Sequence, residues 1–493
     1  VAIGNFALDA QNFTTATDPF NVAVGHLAGS AVTTGYYNTL VGGLAGDALT
    51  DSDFNVALGF NALSAETLGG YNTAIGCYAL DAQNSTTATA SYNTALGYSA
   101  GSAVTTGLKN TLIGGLAGDA LTNADLNTAV GYFALSADTL GNRSTAIGTG
   151  ALKVQNFTTS TNAYNTAVGF EAGVAITTGD RTTLVGGLAG DAITTADGNT
   201  AVGYEALGGE TGGELSVAVG FRALKTQNVG SGSNYNTAVG AQAGEAVTSG
   251  IQNSFVGGLS GDGATSAAGN TGMGYASLSG ALTGNYNAGF GYNSLTGVTS
   301  SDNNCALGTN AGSNITTGAN NICIGRDSGI AGSPSNISTQ SNNIVLGNNS
   351  IASAYIKVDW TVTSDARDKT DFTPLDLGLD FVKALSPLTY RWDMRSDYGD
   401  ITAEDYDLNA QTPDGTHKKD QLMVGFKAQE VEALEIAAGY NKNNSTNLVS
   451  SCSEDGDNYG LQYSKFVPIL VKAIQEQQTL IESLTDRIAA LEA

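Results

Sequence analysis

Tyr164-Asn165-Thr166-Ala167-Val168-Gly169 is the stretch that decides the fold, because close variants of it recur about twenty times. The closing glycine stands at Gly25, Gly42, Gly59 and Gly76, then at Gly97, Gly114, Gly131 and Gly148, and so on to Gly347. A fixed short period marks an architecture in which each unit buries its apolar face only against its neighbours. Thr-Ala-Val alternates outward and inward positions at the strand period of two, and the small residues let neighbouring backbones approach closely. The phrase predicts a strand of four or five residues per repeat. The Asn that opens most repeats, such as Asn72, Asn93 and Asn127, suits a turn in left-handed dihedrals, and stacked copies would form a ladder. Twenty such rungs at one strand spacing each would make a rod of roughly 90 Å.

The glycine intervals run 17, 17, 17 and then 21 residues, so four rungs form a larger unit of 72 residues. Duplication of a four-rung block is the economical origin. The extra residues fall in loops at Asp81 to Ser91, Lys153 to Ala163 and Lys225 to Asn234, rich in Thr, Ser, Asn and Gln. These loops are candidates for binding surface glycan, with solvated cover over a strand edge as the plainer reading. The pairs Asp47 and Asp53, Asp119 and Asp125, and Asp191 and Asp197 recur six apart. They lack the closely spaced oxygen ligands of known calcium loops, so turn duty is expected and no metal.

Composition narrows the function. The 493 residues include 65 glycines, and charged residues make up only 13%. A formal charge of −25 argues against nucleic acid or an anionic membrane as partner. Twelve of the twenty basic residues lie after Ser364, which leaves the repeats almost free of cations. Cys77, Cys305, Cys323 and Cys452 show no metal or redox spacing, and two histidines, His26 and His417, leave no histidine metal site in one chain. No uninterrupted apolar run is long enough to span a membrane, and no cofactor is expected. The sequence opens at Val1 inside a repeat phrase, so a true N-terminus lying further upstream is expected.

The rungs over residues 1–347 resemble the β-roll heads of trimeric autotransporter adhesins and related stalk repeats of phage fibres. A rung this small encloses little core, which favours three chains about an axis, as parallel β-rolls or one intertwined β-helix. The fold class expected is therefore mainly β: an elongated trimeric repeat rod, then a small α+β domain and a coiled-coil helix.

After Gly347 the phrase stops, and residues 348–363 form a connector in which Ile351 to Thr363 reads as strands. The chain from Ser364 carries Ser364-Asp365-x-Arg367-x-Lys369, Leu379 to Leu385 with Pro387 and Tyr390-x-Trp392, and Gly425-Phe426-x-Ala428-Gln429-Glu430-Val431. Tyr463-Ser464-Lys465 and Ala473-Ile474-Gln475-Glu476-Gln477 follow. In this order they resemble the intramolecular chaperone domain of the endosialidase type, found at the C-termini of phage tail fibres and tailspikes. Local signals predict a helix capped by Thr373 with Pro374 at its first position, carrying an apolar stripe of Leu375, Leu379, Val382 and Leu385 and ending before Pro387. A strand over 388–394, an acidic loop over 396–420 and a helix over 427–434 follow. The chaperone domain spans 364–466. In 467–493, Val467, Leu470, Ile474, Gln477, Ile481, Leu484, Ile488 and Leu491 alternate steps of three and four, an a/d seam.

The resemblance implies self-cleavage at Thr363–Ser364 with Ser364 as nucleophile and Lys369 as base. Burial is what equips a lysine for that task, whereas Asp365, Asp368 and Asp371 stand close enough in sequence to hold it as a cation. The plainer alternative is a chaperone that folds the fibre and stays attached. The leading functional expectation is a homotrimeric, structural and host-binding viral tail fibre, folded in the host cytoplasm and carried on the virion tail. Its partners would be a cell-surface receptor, with glycan as a candidate, and other tail proteins. A polysaccharide-degrading tailspike would need convergent carboxylates in a groove, and a bacterial trimeric surface adhesin would need an anchor.

Overall fold

The computed structural model describes residues 1–493 except 359, 400–405, 454, 455, 457 and 493. The chain forms two compact units, Val1–Asn321 and Ile322–Ala493.

The first unit is a β-solenoid. Each rung contributes one strand to a parallel, in-register ladder that starts at Ala2–Ile3 and Val22–Val24 and continues to Cys305–Leu307. The strands are three residues long, shorter than expected, because the closing glycine turns the chain. Gly114 and Gly131 take φ of 131° and 140°, where an L side chain is strained. A Cβ on Gly131 would also stand 2.5 Å from the carbonyl oxygen of Gly148 in the next rung. The glycine is needed for both its dihedral and its lack of bulk.

The asparagine ladder is present, and it lies inside. The Asn38 N–H donates to Oδ1 of Asn21 at 2.8 Å, and its Nδ2 donates to the Ser52 carbonyl at 2.7 Å. Asn110 repeats the pattern with Asn93 and Ala124. Each buried amide thus satisfies its own polar atoms and a turn of the neighbouring rung. The left-handed dihedral falls on the residue before the asparagine, as at Tyr37, Phe54 and Tyr71 with φ near 60°, and not on the asparagine itself. The reason is that the asparagine must enter the strand with its side chain inward, so the turn falls to its neighbour. Phe20, Tyr37, Phe54, Tyr71 and Tyr92 therefore project outward and stack with ring centroids 4.9 to 5.3 Å apart, close to one strand spacing.

Core volume explains the four-rung period. The inward strand residue is Ala23, Leu40, Ala57 and Ala74 in successive rungs, then Ala95, Leu112, Ala129 and Ala146, all fully buried. Where it is leucine, the facing turn residues are glycine: a Cβ on Gly101 or Gly118 would stand 2.6 or 2.7 Å from a Leu112 methyl. Where it is alanine in the next two rungs, the turns instead supply buried Leu63 and Leu80, or Leu135 and Leu152. Large and small alternate, so that each leucine fills the space left by a glycine or alanine. The lengthened loops are pinned by buried carboxylates. Glu66 accepts from the backbone of Gly69 and Ser85 and from Gln83 Nε2; Asp138 with Gln155 and Glu210 with Gln227 repeat the arrangement.

The second unit starts with two parallel strands, Ile322–Ile324 and Ile344–Leu346. Helix α1 (Leu379–Ala384), an antiparallel pair (Leu388–Tyr390 with Met423–Gly425) and helix α2 (Ala428–Ala437) follow. A second antiparallel pair (Ser450–Cys452 with Tyr459–Leu461) leads to helix α3 (Phe466–Glu492). Leu377, Phe381, Val431, Val449, Phe466 and Ile469 form the core. Helix α1 starts five residues later than Thr373-Pro374 suggested. Its first free N–H, that of Leu379, is capped at 2.7 Å by Glu476 of α3, while the Asp376 carboxylate is taken by the Tyr440 hydroxyl. The strand over 388–394 closes at Tyr390, and the helix over 427–434 runs on to Ala437. Part of the loop over 396–420, residues 400–405, lies outside the described residues. No strand forms among the described residues of 351–363, since no partner strand reaches them in the single chain. No described helix is long and apolar enough to cross a membrane.

Burial raises the carboxyls of Asp47, Asp81, Asp119, Asp138, Asp191 and Asp262 in the solenoid above the ordinary carboxylate range. A raised folded pKa means that the folded state holds more protons than the unfolded chain above the ordinary value of about 4, so stability falls as pH rises through that window. We expect the solenoid's Tm to be higher near pH 4.5 than at pH 7 in calorimetric scans. A Tm that climbs steadily over that interval would contradict the assignment.

Candidate functional site

The segment after the connector makes a short 3₁₀ turn, Ala366–Asp368, whose N-cap is Asp365. The Asp365 carboxylate accepts the Arg367 N–H at 2.9 Å and pairs with its guanidinium, and the Arg367 hydrogen bonds hold that carboxyl below its usual range. This turn folds the chain back so that Lys369 Nζ lies 2.5 Å from Ser364 Oγ and 3.4 Å from the Ser364 carbonyl oxygen. The two residues expected to form a nucleophile and base are thus within hydrogen-bond reach, the first geometric requirement for proton transfer. Of the three aspartates that might have held Lys369, Asp365 is engaged by Arg367, and Asp371 accepts from the Thr370 hydroxyl. Thr363, Ser364 and Lys369 are all exposed in the single chain.

Elsewhere in this unit several of the other motif residues converge. Tyr390, Trp392, Phe426, Gln429 and Tyr463 line one groove of about 550 Å³. Phe426 stacks on Phe466 at 5.3 Å, tying the Gly-Phe motif to the root of α3. Sequence reasoning missed Glu435, which is fully buried in α2. Its carboxylate accepts the N–H groups of Leu448, Val449 and Ser450 at 2.9, 2.6 and 3.0 Å, and also the Ser450 hydroxyl. No local signal marks it, because its partners are 13 to 15 residues away.

Two other candidate features resolve differently. Asp53, Asp125 and Asp197 accept backbone N–H groups of Tyr36, Leu108 and Asp180 at 2.9, 2.7 and 2.9 Å, which is turn duty. Among the described residues no group of three or more His, Cys, Asp or Glu is arranged to hold a metal ion. Among the described residues no disulfide joins any of the four cysteines.

Residues 364–440 match the family model described as chaperone of endosialidase. That match starts at Ser364 itself and takes in α1, the first antiparallel pair and α2. No curated protein matches the chain. A β-solenoid followed by this domain fits a protein of the tail-fibre or endosialidase type that carries its own C-terminal chaperone.

Proposed function

We propose that the chain is a homotrimeric tail fibre that presents its solenoid to a host surface, and that the C-terminal unit drives trimerisation and folding. The observation that carries the reading is the apolar seam of α3. Phe466, Ile469 and Ala473 face the unit's own core, whereas Leu470, Ile474, Ile481, Leu484 and Ile488 remain 43 to 64% exposed. A second apolar stripe at heptad spacing that the chain cannot bury alone suits parallel helices from other copies, with Gln477 as one polar layer. The physical rationale is kinetic. Rungs stacked in register pair residues across whole coils and expose strand edges until complete, so bringing chains together at one end lowers the entropic cost and limits misassembly. Carriage on a virion tail, contact with other tail proteins and a host receptor complete the reading.

Release of the chaperone follows from the Ser364–Lys369 pair. Ser364 Oγ attacks the Thr363 carbonyl carbon as its proton passes to Lys369 Nζ. The Thr363–Ser364 C–N bond then breaks as Lys369 returns the proton to the departing amine, leaving an ester between Thr363 and Ser364 Oγ. Water hydrolyses that ester to the Thr363 carboxylate and the free hydroxyl. Assembly supplies the water-poor surroundings that such a lysine needs and that the exposed pair lacks in one chain.

Deleting residues 364–493 before synthesis is expected to give aggregated or single-chain repeats in sedimentation analysis. A soluble trimer from that deletion would contradict the chaperone role. On a denaturing gel the full-length product is expected to appear as two fragments split at Thr363–Ser364, and as one band in Ser364→Ala. One full-length band in both would remove the cleavage step and leave an attached chaperone.

A further inference from the structure

The outward residue at the third strand position of the solenoid is apolar in every rung of the first unit. The column runs from Ile3 through Val24, Val41 and Leu58 to Phe290 and Leu307, held in one register by the ladder. It is not a core position. Leu96 is 44% exposed and Leu307 53%, while the alanine or leucine beside each faces inward at zero. Around the glycine corner the adjoining column carries His26, Phe60, Cys77, Tyr98 and their equivalents, with Tyr98 60% exposed. At one strand spacing per rung, this surface is some 80 Å long. A contiguous apolar column of that length, unlike scattered single surface residues, marks an interaction surface.

We propose that this face is where copies of the chain pack against one another along the solenoid. The proposal rests on the trimeric reading above and says which surface the trimer buries. Three observations select a second copy as the occupant. First, the chain carries a formal charge of −25, yet neither this column, nor the first strand position, nor the column after the glycine contains a single Asp, Glu, Lys or Arg. Copies that repel through every acidic surface can approach through this one. Second, the occupant must offer apolar groups at the rung spacing over the whole ladder, and another copy's ladder is built to that spacing. Third, the column after the glycine has its own relief. Gly115 lies between Tyr98 and Tyr132, and Gly187 between Phe170 and Tyr204, and the nearest atoms to a Cβ on either glycine belong to the tyrosine of the following rung. Such glycine notches recur every fourth rung, at Gly43, Gly115, Gly187 and Gly258, each with the ring of the following rung beside it, which gives the face a register of its own.

Cys77 lies in this face and is exposed in the single chain, so it reports directly on cover. The test uses the full-length protein with Thr106→Cys added as a reference, since Thr106 is exposed on another side of the coil. Maleimide labelling is read per site by peptide mass spectrometry, beside sedimentation mass. The expected result is a multimer in which Cys77 is protected while Thr106→Cys labels fully. Leu96→Glu with Ile147→Glu should then expose Cys77 with the circular dichroism spectrum unchanged, since both side chains point outward. A single-chain mass would overturn self-association as a whole. A multimer whose Cys77 labels as freely as Thr106→Cys would overturn this face while leaving the trimer. Protection that appears only when a host glycan or host protein is added would assign the face to that occupant instead, and continued protection in the double glutamate variant would also refute it.

Discussion

Each rung of the solenoid turns at a glycine whose α-carbon rests against the backbone of the next rung, and the remaining structure follows from that closeness. A Cβ on Gly114 would meet the Gly131 carbonyl oxygen at 2.5 Å, so no other residue allows the coils to stack at strand spacing there. The stacking makes every rung a donor and acceptor for the next. The Gly131 N–H donates to the Ile113 carbonyl at 2.7 Å, and the Thr128 N–H to the Ser144 carbonyl at 2.9 Å. Three-residue strands, small inward residues and a buried asparagine ladder are what so narrow a coil can accommodate. The alternation of Leu112 against Gly101 and Gly118 then extends the repeat from one rung to four.

A coil this narrow has consequences for assembly. Its interior holds alanine, single leucines and amides, so each chain buries modest apolar area and leaves an uncharged apolar ladder on its outside. The second unit is built differently, around Phe381, Val431, Phe466 and Ile469, with buried Glu435 fixing the turn before Ser450. Its α3 helix divides its faces between that core and an exposed seam. Both units thus present surface that other copies of the chain can cover, and the C-terminal one has a compact core of its own.

Much of this was legible in the sequence, for physical reasons. The glycine and the asparagine recur because every rung imposes the same steric and hydrogen-bonding demand, so periodicity alone reveals them. Ser364 and Lys369 were singled out through the family resemblance, and the single turn that joins them puts the two side chains within hydrogen-bond reach. What escaped were features set by distant partners. Glu476 caps α1 from 97 residues away, so the Thr373-Pro374 signal gave a start five residues early. The left-handed dihedral sits on bulky Tyr37 and Phe54, against local preference, because the ladder requires the following asparagine to point inward. Glu66 and Gln83 stand 17 residues apart in sequence and one rung apart in space; the glutamine recurring at 11, 83, 155 and 227 was the available signal.

The most direct measurement compares the thermal unfolding of Gly131→Ala and Gly230→Ala in the intact protein. Both glycines have positive φ, 140° and 88°, but only Gly131 lies against a neighbouring rung, whereas a Cβ on Gly230 would meet nothing within 4 Å. Gly230→Ala therefore carries only the dihedral cost of about 1–3 kcal/mol, confined to a loop. If close rung contact governs the fold, Gly131→Ala lowers the solenoid's Tm well below that of Gly230→Ala. Equal melting of the two variants would show that the stack does not depend on that contact.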